Sequence, residues 1–184
     1  SVNGNIGYQI ARRGQVGITA SWADTVFPNQ MVLGQEIANT IKNIGVYGNY
    51  RVGSSFNANG TIGQTRVETN VLGGGGFTGG TWNFGVSYSG PRLGANLSAG
   101  RSVNGGGNQP SNFSINQFFN GSVTYQASDA LRFSAGASRA DQDFRGTVGV
   151  PQTGQLQEIK TDRLFVGADY SLARFLTFGL DLNH

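Results

Sequence analysis

Five of the six tyrosines in this chain, Tyr8, Tyr50, Tyr88, Tyr125 and Tyr170, recur at spacings of 42, 38, 37 and 45 residues. Each stands just ahead of a short turn and an alternating run. The units read GYQIARRGQVGITASW (7–22), NYRVGSSFNANGTIG (49–63), SYSGPRLGANLSAG (87–100), TYQASDALRFSAGAS (124–138) and DYSLARFLTFGLDLN (169–183). A side-chain period of two belongs to a β-strand whose faces meet different surroundings. The repeat therefore predicts five β-hairpins and about ten strands. A period near 40 also occurs in propellers. A blade, however, fits four strands into that length and carries Gly-His or Trp-Asp signals that this chain lacks.

One face of each hairpin is apolar. It carries Val2, Ile6, Tyr8 and Ile10, then Val16, Ile18, Ala20 and Trp22 in the first unit. Later units repeat it, with Trp82 to Tyr88, Ile115 to Tyr125, and Leu164 to Tyr170. Amides line the other face: Asn57, Asn59, Asn83, Asn96, Asn116 and Asn120, with the charged Arg51, Arg132, Arg163, Asp169 and Asp181 among them. Aromatics on that face are few, namely Tyr47, Phe118 and Phe165. Short turns follow the tyrosines, whereas long loops are expected over 23–43, 64–80, 100–114 and 139–161. Within the first of these, MVLGQEIANTIK (31–42) is compatible with a short helix.

Which solvent the apolar face meets decides the fold class. Charged residues are only 12% of the chain, about half the ~25% of soluble proteins. Mean hydropathy is −0.24, and the polarity resides in neutral side chains. A soluble all-β binding module would bury the apolar faces against each other, but its surface would need more charge than this. An antiparallel up-and-down transmembrane β-barrel instead turns the apolar face to lipid and the amide face to a lumen. Tyr8, Tyr50, Tyr88, Tyr125 and Tyr170 then form one aromatic girdle, with Trp22 and Trp82 in the other.

Several classes are excluded or disfavoured. Without cysteine there is no disulfide framework or thiolate chemistry. The net charge of +3 is too scattered for nucleic acid. A Ser/His/Asp enzyme needs a mid-chain histidine, and the one histidine is His184. Gly74, Gly76 and Gly79 match G-x-G-x-x-G, but no helix pattern follows, so no phosphate cradle or cofactor is expected. Asp141, Asp143 and Glu158 are the acidic group that a loop cation would use, but they read as solvated loop charges and no metal is expected. The turn arginines Arg12, Arg13, Arg51, Arg92, Arg132 and Arg174 either form a basic ring for anionic solutes or contact lipid headgroups.

The stretch D-R-x-x-x-G-A-D-Y-S-L-x-R-F-L-T-F-G-L-D-L-N-H (162–184), echoed in YQASDALRFSAGASR (125–139), resembles the repeated hairpin of the β-barrel porin 2 family. It is also similar to the outer-membrane barrels that accompany exopolysaccharide and PEP-CTERM sorting clusters. The resemblance implies the outer membrane of a Gram-negative bacterium and a role as pore or export conduit for small solutes or polysaccharide, without catalysis. A barrel sheathing a periplasmic or lipoprotein partner is the structural alternative. With the short turns in the periplasm, both chain ends fall on the extracellular side. Single-chain barrels keep both termini in the periplasm, so these hairpins are expected to be part of a barrel of twelve or more strands.

Overall fold

The computed structural model describes residues 1–32, 35–70, 76–105, 111–147, 158–173 and 176–183. The strands are β1 (Val2–Ala11), β2 (Gly14–Val32), β3 (Gln35–Val52), β4 (Phe56–Thr69) and β5 (Phe77–Ser89). They continue as β6 (Leu93–Gly105), β7 (Ser111–Gln126), β8 (Leu131–Thr147), β9 (Glu158–Ala173) and β10 (Leu176–Asn183). Each strand pairs antiparallel with its neighbours in sequence, giving one ten-stranded up-and-down sheet whose edges are β1 and β10. The fold is that of a transmembrane-barrel wall, open in this chain between its two edge strands.

The five hairpins lie where the tyrosines place them. Short turns join β1 to β2, β3 to β4, β5 to β6 and β7 to β8. In the β3–β4 turn Gly53 adopts φ 62°, a left-handed conformation that costs glycine little. Arg174, at the turn of the last hairpin, and His184 lie outside the described residues.

The opposite end corrects the expected long loops. β2 runs on to Val32 and β3 starts at Gln35, so most of 23–43 is strand; β3 also replaces the helix expected at 31–42. Similarly, β4 reaches Thr69, β6 Gly105 and β8 Thr147. Alternation of apolar residues fades here, yet backbone pairing continues through Asp24↔Thr40, Arg66↔Thr78 and Arg139↔Asp162. A ladder wetted on both faces needs no hydrophobic period. Phe77 to Gly80, within the glycine-rich motif, opens β5, whereas Gly74 lies outside the described residues.

The apolar row does not pack into a sandwich. Ile6 is 82% exposed, Ile62 61% and Leu164 59%. Among the described residues the buried hydrophobic side chains lie at the far end, where Val67, Val103, Phe113 and Ile115 cluster with Ile41 and Phe77. Val67 and Phe77 belong by register to the amide face, Val103, Phe113 and Ile115 to the tyrosine face. They meet because the pairing of β5 with β6 stops at Trp82↔Arg101, while β4–β5 and β6–β7 continue. The two halves separate there, and Phe77 stacks on Phe113 with centroids 4.7 Å apart. Ile115, expected on the outward apolar face, is thereby only 6% exposed.

Candidate functional site

Register sets the level of each residue along the sheet. Tyr8 faces Val16, and Val16 faces Gly48, two residues short of Tyr50. From Tyr50 the ladder runs through Ala58 to Val86, two short of Tyr88. Tyr88 leads through Ala95 to Val123, two short of Tyr125. Tyr125 leads through Phe133 to Ala168, two short of Tyr170. All four steps run toward the short turns, one residue per strand. With ~3.3 Å per residue and ~4.8 Å between strands, such a staircase is level when the strands tilt by about 35°. That matches the ~35–45° tilt of membrane barrels.

The tryptophans obey the same slope. Trp22 leads through Lys42 and Arg66 to Thr78; three residues toward the turn is Thr81, beside Trp82. Both lie within their strands and not at the ends, because the strands outrun the apolar row. At that level the outward face changes character on every strand from β2 to β9. The outward residues beyond Trp22, Ile44, Ile62, Phe119 and Leu164 are Asp24, Lys42, Gln64, Gln117 and Asp162, and Arg101 and Arg139 follow Ala99 and Ala137. From the level of Ile10 and Val52 to that of Trp22 is about nine residues, or about 24 Å along the axis at this tilt. An outer-membrane apolar band is ~25 Å tall.

Above the band the charges pair with one another. Glu68 accepts from Lys42 at 2.8 Å and from Arg66 at 2.8 Å. The Lys42 hydrogen bond holds the Glu68 carboxyl below its ordinary range. Of the acidic residues that a loop cation would need, Asp141 is engaged by Arg139 at 3.4 Å and Glu158 by Lys160 at 2.9 Å. Among the described residues no acidic, histidine or cysteine group is arranged to hold a metal.

The amide face collects Asn57, Asn59, Asn83, Asn96, Asn116 and Asn120 by register, with Arg51, Arg132, Arg163 and Asp169. Asp181 pairs through its backbone with Gly167 on the same row. Directly opposed polar residues bond across strands: Asn43 donates to Ser21 at 2.9 Å, and Thr65 donates to Asn43. Arg132 stands opposite Asp169 in the ladder. Arg12, Arg13 and Arg51 line a hollow of about 790 Å³ at the turn end of β1–β4. Gln9, Gln15, Asn49, Asn57 and Asn59 complete its polar wall.

Two features were not visible in the sequence. Tyr47, Phe118 and Phe165 on the amide face each lie directly opposite a glycine: Tyr47↔Gly17, Phe118↔Gly100 and Phe165↔Gly136. A Cβ on any of these glycines would come within 2.6 Å of the ring, so the rings lie flat over vacant positions. On the outward face, the facing pair Gly48↔Gly60 leaves a shallow apolar groove of about 680 Å³ between Val16, Val46, Tyr50 and Phe84. Both depend on register between strands, to which no local pattern points.

An up-and-down sheet with a level apolar band on one face and a mainly polar, amide-rich face behind it is the wall of an outer-membrane-type β-barrel. Among solved structures the chain is similar to the FrpB iron transporter from Neisseria meningitidis (F3-3 variant), with a TM-score of 0.67 and 10% identity. The match covers 98% of this chain and 34% of that one, so the chain spans about a third of its neighbour's length. At this identity the likeness is one of fold. No family model and no curated protein sequence matches the chain.

Proposed function

We propose that this chain forms part of the wall of a pore in the outer membrane of a Gram-negative bacterium, passing small solutes or polysaccharide without catalysis. One observation carries the reading: the outward face is apolar over one level band about 24 Å tall, while the face behind it carries amides on β1–β7 and Arg132, Arg163 and Asp169 among serine and glycine on β8 and β9. Lipid is the partner of the first face and a hydrated path follows from the second. The tyrosine and tryptophan rows are then the two interfacial girdles, with the short turns in the periplasm. The residues of 162–184 that resemble β-barrel porin 2 hairpins favour a passive conduit. The iron transporter's cargo is not carried over.

The alternative, a barrel sheathing a periplasmic or lipoprotein partner, needs free small positions on the inner face. Gly17, Gly100 and Gly136 are occupied by the chain's own aromatics, which favours the pore. The test is single-channel recording of the full-length protein in a planar bilayer. Stepwise conductance is expected; a folded, inserted barrel that never conducts would sink the pore.

A further inference from the structure

We propose that the hollow at the turn end of β1–β4 binds the phosphate groups of solutes passing along the amide face. The inference rests on the pore reading only in making this hollow part of a lumen.

Three guanidinium groups, Arg12, Arg13 and Arg51, share the hollow with amide side chains and no carboxylate. Arg12 and Arg13 form the β1–β2 turn, and Arg51 lies on the neighbouring strand. The backbone joins them: Arg51 N donates to Arg13 O at 2.8 Å, which holds the turn against β3. Arg51 is further steadied by a 3.5 Å hydrogen bond from Nη2 to Ser54 O. None of the three makes an ion pair among the described residues. Above the band, by contrast, Lys42 pairs with Glu68 and Arg139 with Asp141, and Arg132 has Asp169 opposite it in register. Three positive charges are therefore gathered here with no carboxylate in the lining.

The donor set fits a phosphate. Each guanidinium offers five N–H groups in a planar fork that matches two oxygens at once. Amides beside them supply further donors, and their carbonyls accept from sugar or other hydroxyls. A hollow of about 790 Å³ falls in the usual ~300–1,000 Å³ range for small-molecule sites. A chloride-sized ion would leave most of these donors unused. The expected ligand is a phosphorylated small molecule or a phosphate-bearing polymer segment; a phospholipid headgroup offers the same chemistry from the membrane side.

The test is calorimetric titration of inorganic pyrophosphate into the detergent-folded, full-length protein at low ionic strength. The wild type is expected to bind. Combined Arg12→Gln, Arg13→Gln and Arg51→Gln should weaken binding by about tenfold or more. Arg92→Gln, on a different turn, should leave it unchanged. Heat-modifiable gel migration reports whether each variant is folded; should the triple variant fail, Arg12→Gln alone, on an exposed turn, replaces it with a smaller expected loss. No binding by the wild type, or equal binding by the folded variants, overturns the site. An anionic phospholipid that copurifies, is lost in the variant and resists displacement by pyrophosphate also overturns the solute assignment. Binding without any channel conductance leaves the site standing and removes the pore, whereas conductance without binding removes the site alone.

Discussion

Gly17 carries a constraint that its own neighbourhood in sequence does not reveal. A Cβ there would sit 2.4 Å from the Ile6 carbonyl oxygen and 2.6 Å from the Tyr47 ring. Neither can move freely, since one is backbone in a paired strand and the other bridges two strands, with its hydroxyl over Gly7 and accepting from Gln15 at 3.3 Å. Gly17→Ala is therefore expected to destabilise the folded protein by about 2–3 kcal/mol, a cost of overpacking. Gly121→Ala, whose nearest neighbour would be 3.6 Å away, should stay within about 0.5 kcal/mol. Urea unfolding in lipid vesicles measures both. Tyr47→Ala should cost about 1 kcal/mol as a lost cross-strand aromatic contact, and it should not rescue Gly17→Ala because the Ile6 carbonyl remains. Alternation alone put Tyr47, Phe118 and Phe165 on the amide face. That each faces a glycine follows from strand register, which pairs residues ~20–30 positions apart and leaves no local trace.

Each strand divides into a stretch inside the apolar band and a stretch beyond it, and the two should respond differently to charge. On β2, Ile18 and Val26 share the outward face, with Trp22 between them. Ile18→Arg is expected to cost about 2–4 kcal/mol, as arginine does near a bilayer midplane, and Val26→Arg about 0–1 kcal/mol. Equal costs in a bilayer would mean that the band does not lie where the tryptophans mark it. The cluster beyond the band behaves as an ordinary small core. Phe113, 4% exposed and stacked on Phe77, should lose about 3–5 kcal/mol on truncation to alanine. The loss should show as faster amide exchange at the far ends of β5–β7, with the turn-end ladder still protected. The apolar row was legible as a period of two, and so were the hairpins. The strands' full length was not, because beyond the band polar and apolar residues stand on both faces and the period of two that marks a half-buried strand disappears.

At the scale of the molecule, the staircase of tyrosines makes a prediction about orientation. If the sheet tilts by about 35°, Trp22 and Trp82 lie at one depth although β3 and β4 separate their strands. Quenching by lipids brominated at graded positions along the acyl chain, read in single-tryptophan variants, should give the same depth for both, near the interface. Depths differing by more than about 5 Å, roughly two residues of rise at this tilt, would reject the common level. The same tilt sets the inner face as a continuous polar wall from the arginine hollow upward, which is why binding and conduction can be tested separately on one protein.

Much of this was determined by the residues alone. The tyrosine repeat specified five antiparallel hairpins, and the alternation specified a sheet with one apolar and one polar face. Those properties are local, since a period of two and a turn need only neighbouring residues. Tertiary structure decided the rest: that the tyrosines fall on a one-residue-per-strand slope, that glycines stand under the inner aromatics, that β5 and β6 part beyond Trp82, and that three of the turn arginines share one hollow. Each depends on which residue of one strand faces which residue of the next. Hydrogen bonding between strands settles that choice, and side-chain packing across the ladder holds it, so it exists only once the sheet has formed.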